Sequence, residues 1–293
     1  MTLTLPKAKS ILGVILSAPG TPFITRGTIN LSSATPSIKA ISTSSYIGLK
    51  LNNISTTPEN KTVTVYLMMA PTDLSGKDIE VYAAGYKTTI SGKNFEAGLA
   101  YSLYADLKLA AYPDNLWVDM GLPSGIKWAS QNVGAINPED YGDYFAWGEI
   151  LPKEYFYSGN SATYGKPMGD ITGNALYDVA TAIWGNPARI PTKYEIQELL
   201  DYSYISREVL NGVKGVRVYS NKNGNSIFLP LAGFRNDSSL YHPGEDGQYW
   251  CSTPWERNDK NQDAYSLVFD YYGNFGWNWY WRGIGFSVRP VRD

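Results

Sequence analysis

The first third of the chain alternates short apolar segments with turn residues, at a spacing that is typical of β-strands. β-branched and aromatic residues, which favour strands, concentrate in six segments. These are Ser10–Ser17, Tyr46–Leu51, Thr62–Ala70, Asp78–Ala84, Tyr86–Ser91 and Leu99–Leu109. The third and the last are long enough to be central strands. Because no helical period interrupts the region, the pattern predicts an all-β sandwich.

Two helices are predicted further along the chain. Asn174–Trp184 places apolar residues at near-helical spacing. Thr192 and Glu195 have the spacing of a capping box, in which each side chain bonds to the main-chain amide of the other residue. The apolar residues Ile196, Leu199 and Leu200 then define the buried face of the second helix.

A β-hairpin is predicted after these helices. Val216–Tyr219 and Ile227–Leu231 are strand candidates, and Asn223-Gly224 between them favours a tight turn. Helices and strands together predict an α+β fold for residues 113–293.

Charge and tryptophan content both change near residue 112, which indicates a domain boundary beside Pro113. Residues 1–112 carry ten Lys and Arg against six Asp and Glu, whereas residues 113–293 carry fifteen against twenty-one. All nine tryptophans lie at or after Trp117. The formal net charge of -2 gives no electrostatic reason to expect nucleic acid or an anionic membrane as a partner.

The start of the chain allows two interpretations. Lys7 and Lys9 precede the apolar run Ile11–Leu16, as they would in a secretory signal peptide. That run is short against the roughly 7–15 residues of a signal peptide, so we favour a buried strand. No stretch approaches the roughly 20 apolar residues that a transmembrane helix needs.

The segment Gly247–Asp293 is the most aromatic part of the chain. Trp277, Trp279 and Trp281 alternate, so a strand would place the three indoles on one face. Asn278, Tyr280 and Arg282 would form the other face, and one of the two faces is expected to be exposed. The alternative is that all these rings belong to the core, because tryptophan is highly buried on average.

Single copies of cysteine and histidine restrict the available chemistry. Cys251 stands alone, so no disulfide forms within the chain and no cysteine-based metal site is possible. It is expected to be a small buried hydrophobic residue. A catalytic pair of a serine with His242 is one alternative, but Pro243 and Gly244, which follow the histidine, favour a loop.

Two groups of acids could flank a glycosidic bond, as catalytic carboxylates do. They are Glu245 with Asp246, and Asp140 with Asp143 and Glu149. Acids are common in loops, so a structural or solvent-exposed role is the favoured interpretation.

Lys61–Leu107 resembles the closing strands of a fimbrillin domain of the Bacteroidales type V pilus family. The matching features are the run into Ala-Pro-x-Asp-x-Ser-Gly at Ala70–Gly76 and the later Glu-Ala-Gly-x-Ala-Tyr-Ser-Leu at Glu96–Leu103. Fimbrillins usually have two β-sandwich domains behind a lipoprotein signal, whereas this chain has room for one and has no lipobox cysteine. The resemblance implies a fimbrillin-like sandwich over 1–112 and strand exchange with a neighbouring pilus subunit.

Residues 113–293 resemble a surface domain first noted as a major paralogous family in Fibrobacter and common in Bacteroidales. Six segments match in order: Leu116–Ala135, Tyr141–Glu149, Arg189–Leu200, Leu231–Arg235, Tyr249–Pro254 and Gly285–Val291. The resemblance implies a C-type-lectin-like fold related to formylglycine-generating enzymes. It also implies scaffold roles for Trp128, Trp147 and Trp184, and a closing strand that contains Phe286, Val288 and Arg289.

The known chemistries of those relatives do not fit these residues. Formylglycine-generating enzymes hold copper with paired cysteines, and only Cys251 is present. True C-type lectins bind calcium through Glu-Pro-Asn or Gln-Pro-Asp followed by Trp-Asn-Asp, and none of these triplets occurs. Trp255–Asp259 has similar residues at a different spacing, so a solvated acidic loop is favoured.

The remaining hypothesis is recognition without metal, cofactor or catalysis. Lectin-like domains that end in this closing strand can be targets of diversity-generating retroelements, whose variable positions lie just upstream. Tyr and Trp give large rigid contact area, and amides give adaptable hydrogen bonds. The candidate ligand-binding residues are Trp255, Asn258, Asp259, Asn261, Tyr271, Tyr272, Asn274, Trp277, Asn278, Trp279, Tyr280 and Trp281.

The sequence therefore predicts an extracellular cell-surface adhesin at a pilus tip. Its ligand would be a glycan or a surface protein, and its structural partner a pilus subunit. The alternative is a stand-alone surface protein that binds glycans. An enzyme of the formylglycine-generating or glycoside-processing class comes third.

Overall fold

The structure, a computed structural model, describes residues 1–6, 10–20, 23–30, 37–44, 46–83, 86–109, 116–255 and 261–293. Strands in several small sheets dominate it, and helices are few. The β-rich character predicted from the sequence is confirmed. The chain divides into two compact units, Met1–Ala110 and Ala111–Asp293. No helix among the described residues has the length and apolar character needed to cross a membrane.

The first unit is β-sandwich-like. Its strands are β1 (Thr2–Thr4), β2 (Ser10–Ser17), β3 (Phe23–Asn30), β4 (Ser37–Ser44), β5 (Tyr46–Ser55), β6 (Thr62–Thr64), β7 (Thr72–Asp73), β8 (Asp78–Ala83), β9 (Tyr86–Ser91), β10 (Asn94–Phe95), β11 (Tyr104–Asp106) and β12 (Lys108–Leu109). The largest sheet has the order β12-β9-β8-β2-β5, and a three-stranded sheet has the order β11-β1-β6. Ile11–Leu16 lies inside this largest sheet, in β2, so the apolar run near the start is a strand of the core.

The prediction that Thr62–Ala70 and Leu99–Leu109 are long central strands is wrong. Only Thr62–Thr64 and Tyr104–Asp106 pair with β1, and both lie at edges of its sheet. Because β1 is three residues long, it offers main-chain partners for only a short ladder. Val65, Leu67 and Met69 still pack against the core, which explains the strand-like alternation in the sequence.

The second unit has two α-helices, a short 3-10 helix (Ser158–Asn160) and eleven strands among its described residues. The α-helices are α1 (Val179–Trp184) and α2 (Lys193–Asp201). The strands are β13 (Trp117–Asp119), β14 (Lys127–Ala129), β15 (Ser203–Leu210), β16 (Val213–Ser220), β17 (Ser226–Pro230), β18 (Phe234–Asn236), β19 (Ser239–Tyr241), β20 (Asp246–Trp255), β21 (Asp263–Asp270), β22 (Phe275–Trp281) and β23 (Val291–Arg292). The sheet orders are β13-β14-β23, β15-β16-β17, β18-β19 and β20-β21-β22.

The predicted capping box is confirmed at α2. Glu195 N donates to Thr192 Oγ1 over 3.3 Å, and Thr192 N donates to Glu195 Oε2 over 2.8 Å. The helix predicted from Asn174 instead begins at Val179, because the Asp178 carboxylate caps it by accepting from Thr181 N at 3.0 Å. The predicted hairpin is confirmed, but residues 221–225, which include Asn223 and Gly224, make the connection between β16 and β17 longer than the tight turn expected.

The core of the second unit contains most residues to which the resemblance assigns scaffold roles. Trp128 and Trp147 are fully buried, and Trp184 is nearly so. Arg289 is buried as well, and its guanidinium donates to Asn132 Oδ1 at 2.7 Å, to the Phe228 carbonyl at 2.9 Å and to the Ala129 carbonyl at 3.1 Å. Burial lowers the pKa of Arg289 to about 10. A charged side chain therefore links the C-terminal segment to three parts of the core.

Candidate ligand-binding face

The aromatic C-terminal segment forms an antiparallel sheet whose edge strand carries three exposed indoles. β22 pairs with β21, which pairs with β20. Trp277, Trp279 and Trp281 are 37%, 39% and 60% exposed. Alternation along the strand places them on one face. We call this surface the tryptophan face and define it as Trp255, Tyr265, Trp277, Trp279 and Trp281.

Two of the indoles on the tryptophan face stack on each other. The rings of Trp255 and Trp279 are 4.4 Å apart at an interplanar angle of 19°. Trp255 ends β20 and Trp279 lies on β22, so the stack spans the intervening strand β21. Such a pair adds about 0.5–1.5 kcal/mol beyond the area it buries, and it limits the motion of both rings.

Helix α2 holds the other end of the face. Trp277 Nε1 donates to Gln197 Oε1 at 2.9 Å. Lys193 Nζ lies 4.1 Å from the ring centroids of both Trp277 and Tyr265. Those two rings meet edge to face, with 5.4 Å between centroids. The helix thus gives this part of the face a fixed ring geometry and one positive charge.

Trp281 is the ring most available to a ligand. Among the described residues, no other ring or cation packs on its indole, in contrast to the other four rings of the face. The next residue, Arg282, turns inward and is fully buried. Its guanidinium donates to the carbonyls of Asp263 at 3.0 Å and Lys166 at 2.9 Å. The main chain beside Trp281 is therefore well anchored.

Asn278 and Tyr280, both predicted to contact the ligand, lie on the opposite face of β22. Tyr280 is half-buried, and its ring meets Phe286 edge to face at 5.2 Å. Burial raises the pKa of Tyr280. These two residues support the strand, and the structure does not bring them together with the exposed indoles.

Tyr271, Tyr272 and Asn274 form the turn at the far end of the β21–β22 hairpin. Asp270 Oδ1 organises this turn by accepting from the main-chain amides of Tyr272 at 2.8 Å and Asn274 at 3.1 Å. Tyr272 is 83% exposed, whereas Tyr271 packs against the core. Trp281 lies at the other end of β22, so the turn is separated from it by the length of the strand.

The remaining predicted ligand residues lie between β20 and β21. Asn258 and Asp259 lie outside the described residues. Asn261 is partly exposed, and its carbonyl accepts from Gly165 N at 2.9 Å. Its backbone φ of 51° is one that asparagine tolerates well.

Sequence reasoning missed Tyr265, Lys193 and Gln197. Tyr265 lies directly opposite Trp279 in the β21–β22 register. No local pattern connects α2 with β22, which lies about 80 residues away, so the contacts of Lys193 and Gln197 follow from tertiary packing alone.

The groups considered for catalysis have structural partners or are buried. Burial raises the pKa of the Cys251 thiol to about 12, so the thiol is protonated at neutral pH. Glu149 bonds to Lys153 and to the amide of Ala162, and Asp140 accepts from the amide of Asn137. The described residues contain no group of three His, Cys, Asp or Glu side chains arranged to hold a metal ion.

His242 lies in a loop, as predicted. Its Nδ1 is 3.1 Å from Asp246 Oδ2 and 3.5 Å from Glu245 Oε2. Its side chain is half exposed and its ring stacks on Phe234. The contacts of this imidazole are thus with acids and an aromatic ring.

No protein-family profile, no curated protein and no solved structure matches this chain. The resemblances to fimbrillins and to the lectin-like surface domain therefore stay predictions.

Proposed function

We propose that this chain is a cell-surface adhesin that binds a glycan or protein ligand, without catalysis, through the tryptophan face of a C-type-lectin-like second unit. The row of three indoles on β22 carries this proposal, because each is more than a third exposed. Folded proteins usually bury tryptophan. Indoles held at the surface by a stack, a helix contact and a buried arginine form a rigid surface that loses little entropy on binding.

Burial and bonding of the other reactive groups favour binding over catalysis. The Cys251 thiol is buried and protonated, and two of the candidate acids, Asp140 and Glu149, already bond within the protein. The tryptophan face instead offers aromatic surface, one ammonium group and the half-buried carboxylate of Asp263.

Replacement of Trp281 tests the proposal most directly. In Trp281→Ala we expect a loss of affinity of about 1–2 kcal/mol, or roughly 5- to 30-fold, for the surface that the wild-type chain binds. The melting temperature should be unchanged, because the ring is 60% exposed. Glycan arrays and binding to fixed cells, together with thermal unfolding, measure both quantities.

Two variants serve as controls. Tyr104→Ala removes an exposed ring from the first unit, outside residues 65–70, and should leave binding intact. Trp147→Ala empties a fully buried site and should cost about 3–5 kcal/mol of stability. If Trp281→Ala binds as tightly as wild type, the proposal that the tryptophan face binds the ligand is wrong.

A position at the tip of a pilus is the second part of the proposal. Residues 65–70 have a strand-like sequence but lie outside every strand, and Tyr66 and Met68 are 85% and 94% exposed. An extended segment from a neighbouring subunit can complete such a region through main-chain hydrogen bonds. The measurable consequence is that each chain accepts one pilus subunit. A stand-alone surface protein would accept none.

A further inference from the structure

The ring geometry at the α2 end of the tryptophan face is that of a binding site for an ammonium group. Trp277 and Tyr265 meet at 80°, and a cation lies 4.1 Å from both ring centroids. Cations bind over aromatic faces within about 6 Å of the ring centroid, and tryptophan is the strongest partner. In the free protein the cation is the chain's own Lys193.

Lysine is an imperfect occupant of this site. A primary ammonium group carries three N–H donors. Among the described residues, no carboxylate or carbonyl accepts a bond from Lys193 Nζ, so the rings are its protein partners. A quaternary ammonium group has no N–H donor to satisfy and presents methyl groups to both rings. It is therefore better suited to the same position than lysine is.

The charge around the site also favours a cationic ligand. Residues 113–293 carry fifteen basic against twenty-one acidic side chains. Thr253 Oγ1 accepts from the amide of Lys193 at 3.1 Å and donates to Asp170 Oδ2 at 2.7 Å, which brings a carboxylate close to the start of α2. Asp263 lies on the same sheet, opposite Trp281.

We infer that the tryptophan face binds an alkylated ammonium group of the choline type, and that Lys193 occupies the site until the ligand displaces it. Trp277 and Tyr265 would contact the ligand, and Lys193 would act as an internal competitor. This inference rests on the tryptophan face being a ligand surface. It adds the chemical class that one end of the face recognises, whether the group is free choline or a phosphocholine ester.

Removal of the competitor gives the sharpest test. Choline and phosphocholine are titrated into wild-type protein and into Lys193→Gln, and the indole N–H signal of Trp277 is followed by NMR. We expect Lys193→Gln to bind choline about fivefold more tightly, the equilibrium factor of one exposed cation–π contact. If phosphocholine binds more tightly than choline, the natural source of the ammonium group is the phosphocholine ester. Equal or weaker binding identifies free choline.

Matched controls make the test specific. Lys214 also lies over an aromatic ring, that of Tyr271 at 5.1 Å, but over that ring alone, so Lys214→Gln should leave choline affinity unchanged. The uncharged analogue 3,3-dimethylbutanol has the shape of choline without its charge and should bind much more weakly than choline. In the Lys193→Gln background, Trp277→Ala or Tyr265→Leu should abolish binding, which titration calorimetry measures because Trp277→Ala lacks the reporter indole.

Several results would overturn the inference. The first is a Lys193→Gln variant that thermal unfolding shows to be folded but that binds choline no more tightly than wild type. The second is equal binding of choline and the uncharged analogue. The third is no binding of either ammonium compound. If those results appear while Trp281→Ala still weakens adhesion, the ammonium site alone is wrong. If choline binds but Trp281→Ala adheres normally, the adhesion proposal is wrong.

Discussion

Tryptophans in this chain serve two different purposes, and their indole N–H partners distinguish them. Trp147 and Trp250 are buried, and they donate to the carbonyls of Cys251 at 2.8 Å and Phe145 at 2.7 Å. Trp277 is partly exposed and donates to a side chain on a helix. These two buried indoles thus connect core segments, although the equally buried Trp128 Nε1 has no hydrogen-bond partner among the described residues. The exposed indoles leave much of their ring surface to solvent.

Asp143 is a buried acid whose ionisation should make the free energy of unfolding depend on pH. Its Oδ2 is buried without a hydrogen-bond partner among the described residues, and a Cβ atom at Gly134 would lie 2.2 Å from it. Burial raises the pKa of Asp143 to about 7, although the attraction of Arg235 opposes the shift. The folded protein therefore holds a proton here that the unfolded chain has already released.

This proton predicts the direction of a pH dependence. Between the unfolded pKa near 4 and the folded pKa near 7, the folded state binds more protons, so stability falls as pH rises through that window. The full loss, above pH 7, is at most about 4 kcal/mol. The stability advantage of Asp143→Asn over wild type should be largest at pH 8 and should shrink towards zero as the pH falls to about 4, as measured by denaturant unfolding.

Asp237→Asn is the matched control for this substitution. Asp237 is exposed, and its φ of 50° suits asparagine, so the pH profile of this variant should follow that of wild type. A profile of Asp143→Asn that also follows wild type would contradict a buried, protonated carboxyl group.

At the scale of elements, α2 connects the scaffold to the tryptophan face. Its N-terminus is fixed by the capping box and by Arg189, which pairs with Glu195 at 2.7 Å. Its side chains then contact Trp277 and Tyr265 on the neighbouring sheet. A substitution at the N-cap residue Thr192 should therefore alter the motion of Trp277, although the cap makes no contact with that ring.

Thr192→Ala should reduce stability by about 1 kcal/mol, the usual cost of losing an N-cap hydroxyl. It should also increase the motion of Trp277, because Lys193 and Gln197 lie in the first two turns of the helix. Chemical denaturation and the NMR linewidth of the Trp277 indole measure the two effects. Thr192→Ser keeps the hydroxyl and should match wild type in both; a stable Thr192→Ala would show that the capping box contributes little.

Strand length shows where element prediction from sequence works and where it fails. The predicted strands Ser10–Ser17 and Tyr86–Ser91 have these bounds in the structure, because a partner strand runs from one end of each to the other. Thr62–Ala70 has an equally good composition, yet its strand ends at Thr64, and Val65 adds one further pair of main-chain bonds, to Met1. Composition reports which side chains fit a sheet, whereas pairing needs a partner strand from a distant part of the chain.

At the scale of the whole molecule, the two units have separate cores. Among the described residues, buried hydrophobic side chains of Met1–Ala110 pack in one cluster, and those of Ala111–Asp293 pack in two others. In the proposed function, the first unit would join a pilus and the second would present the tryptophan face.

Assembly with a pilus subunit is testable at this scale. If the proposed position at the pilus tip is right, the chain mixed with a type V pilus subunit should form a one-to-one complex by light scattering, because a terminal subunit would accept a strand and donate none. Met68→Pro removes one main-chain donor from residues 65–70 and should weaken the complex, whereas Met68→Ala keeps the donor and should not. Ladders formed by the purified chain alone would exclude a terminal position.

Local patterns in the sequence determined the capping box at Thr192, the hairpin that contains Gly224, the β-rich character and the single face shared by Trp277, Trp279 and Trp281. Each of these depends on residues that are neighbours in the chain or repeat at the period of one element. Tertiary structure alone decided that Trp255 stacks on Trp279 and that Lys193 lies between two rings. It also decided that Tyr280 faces the core and that the strand at Thr62 is short. Such features depend on which distant segments meet, and side-chain periodicity carries no information about that choice.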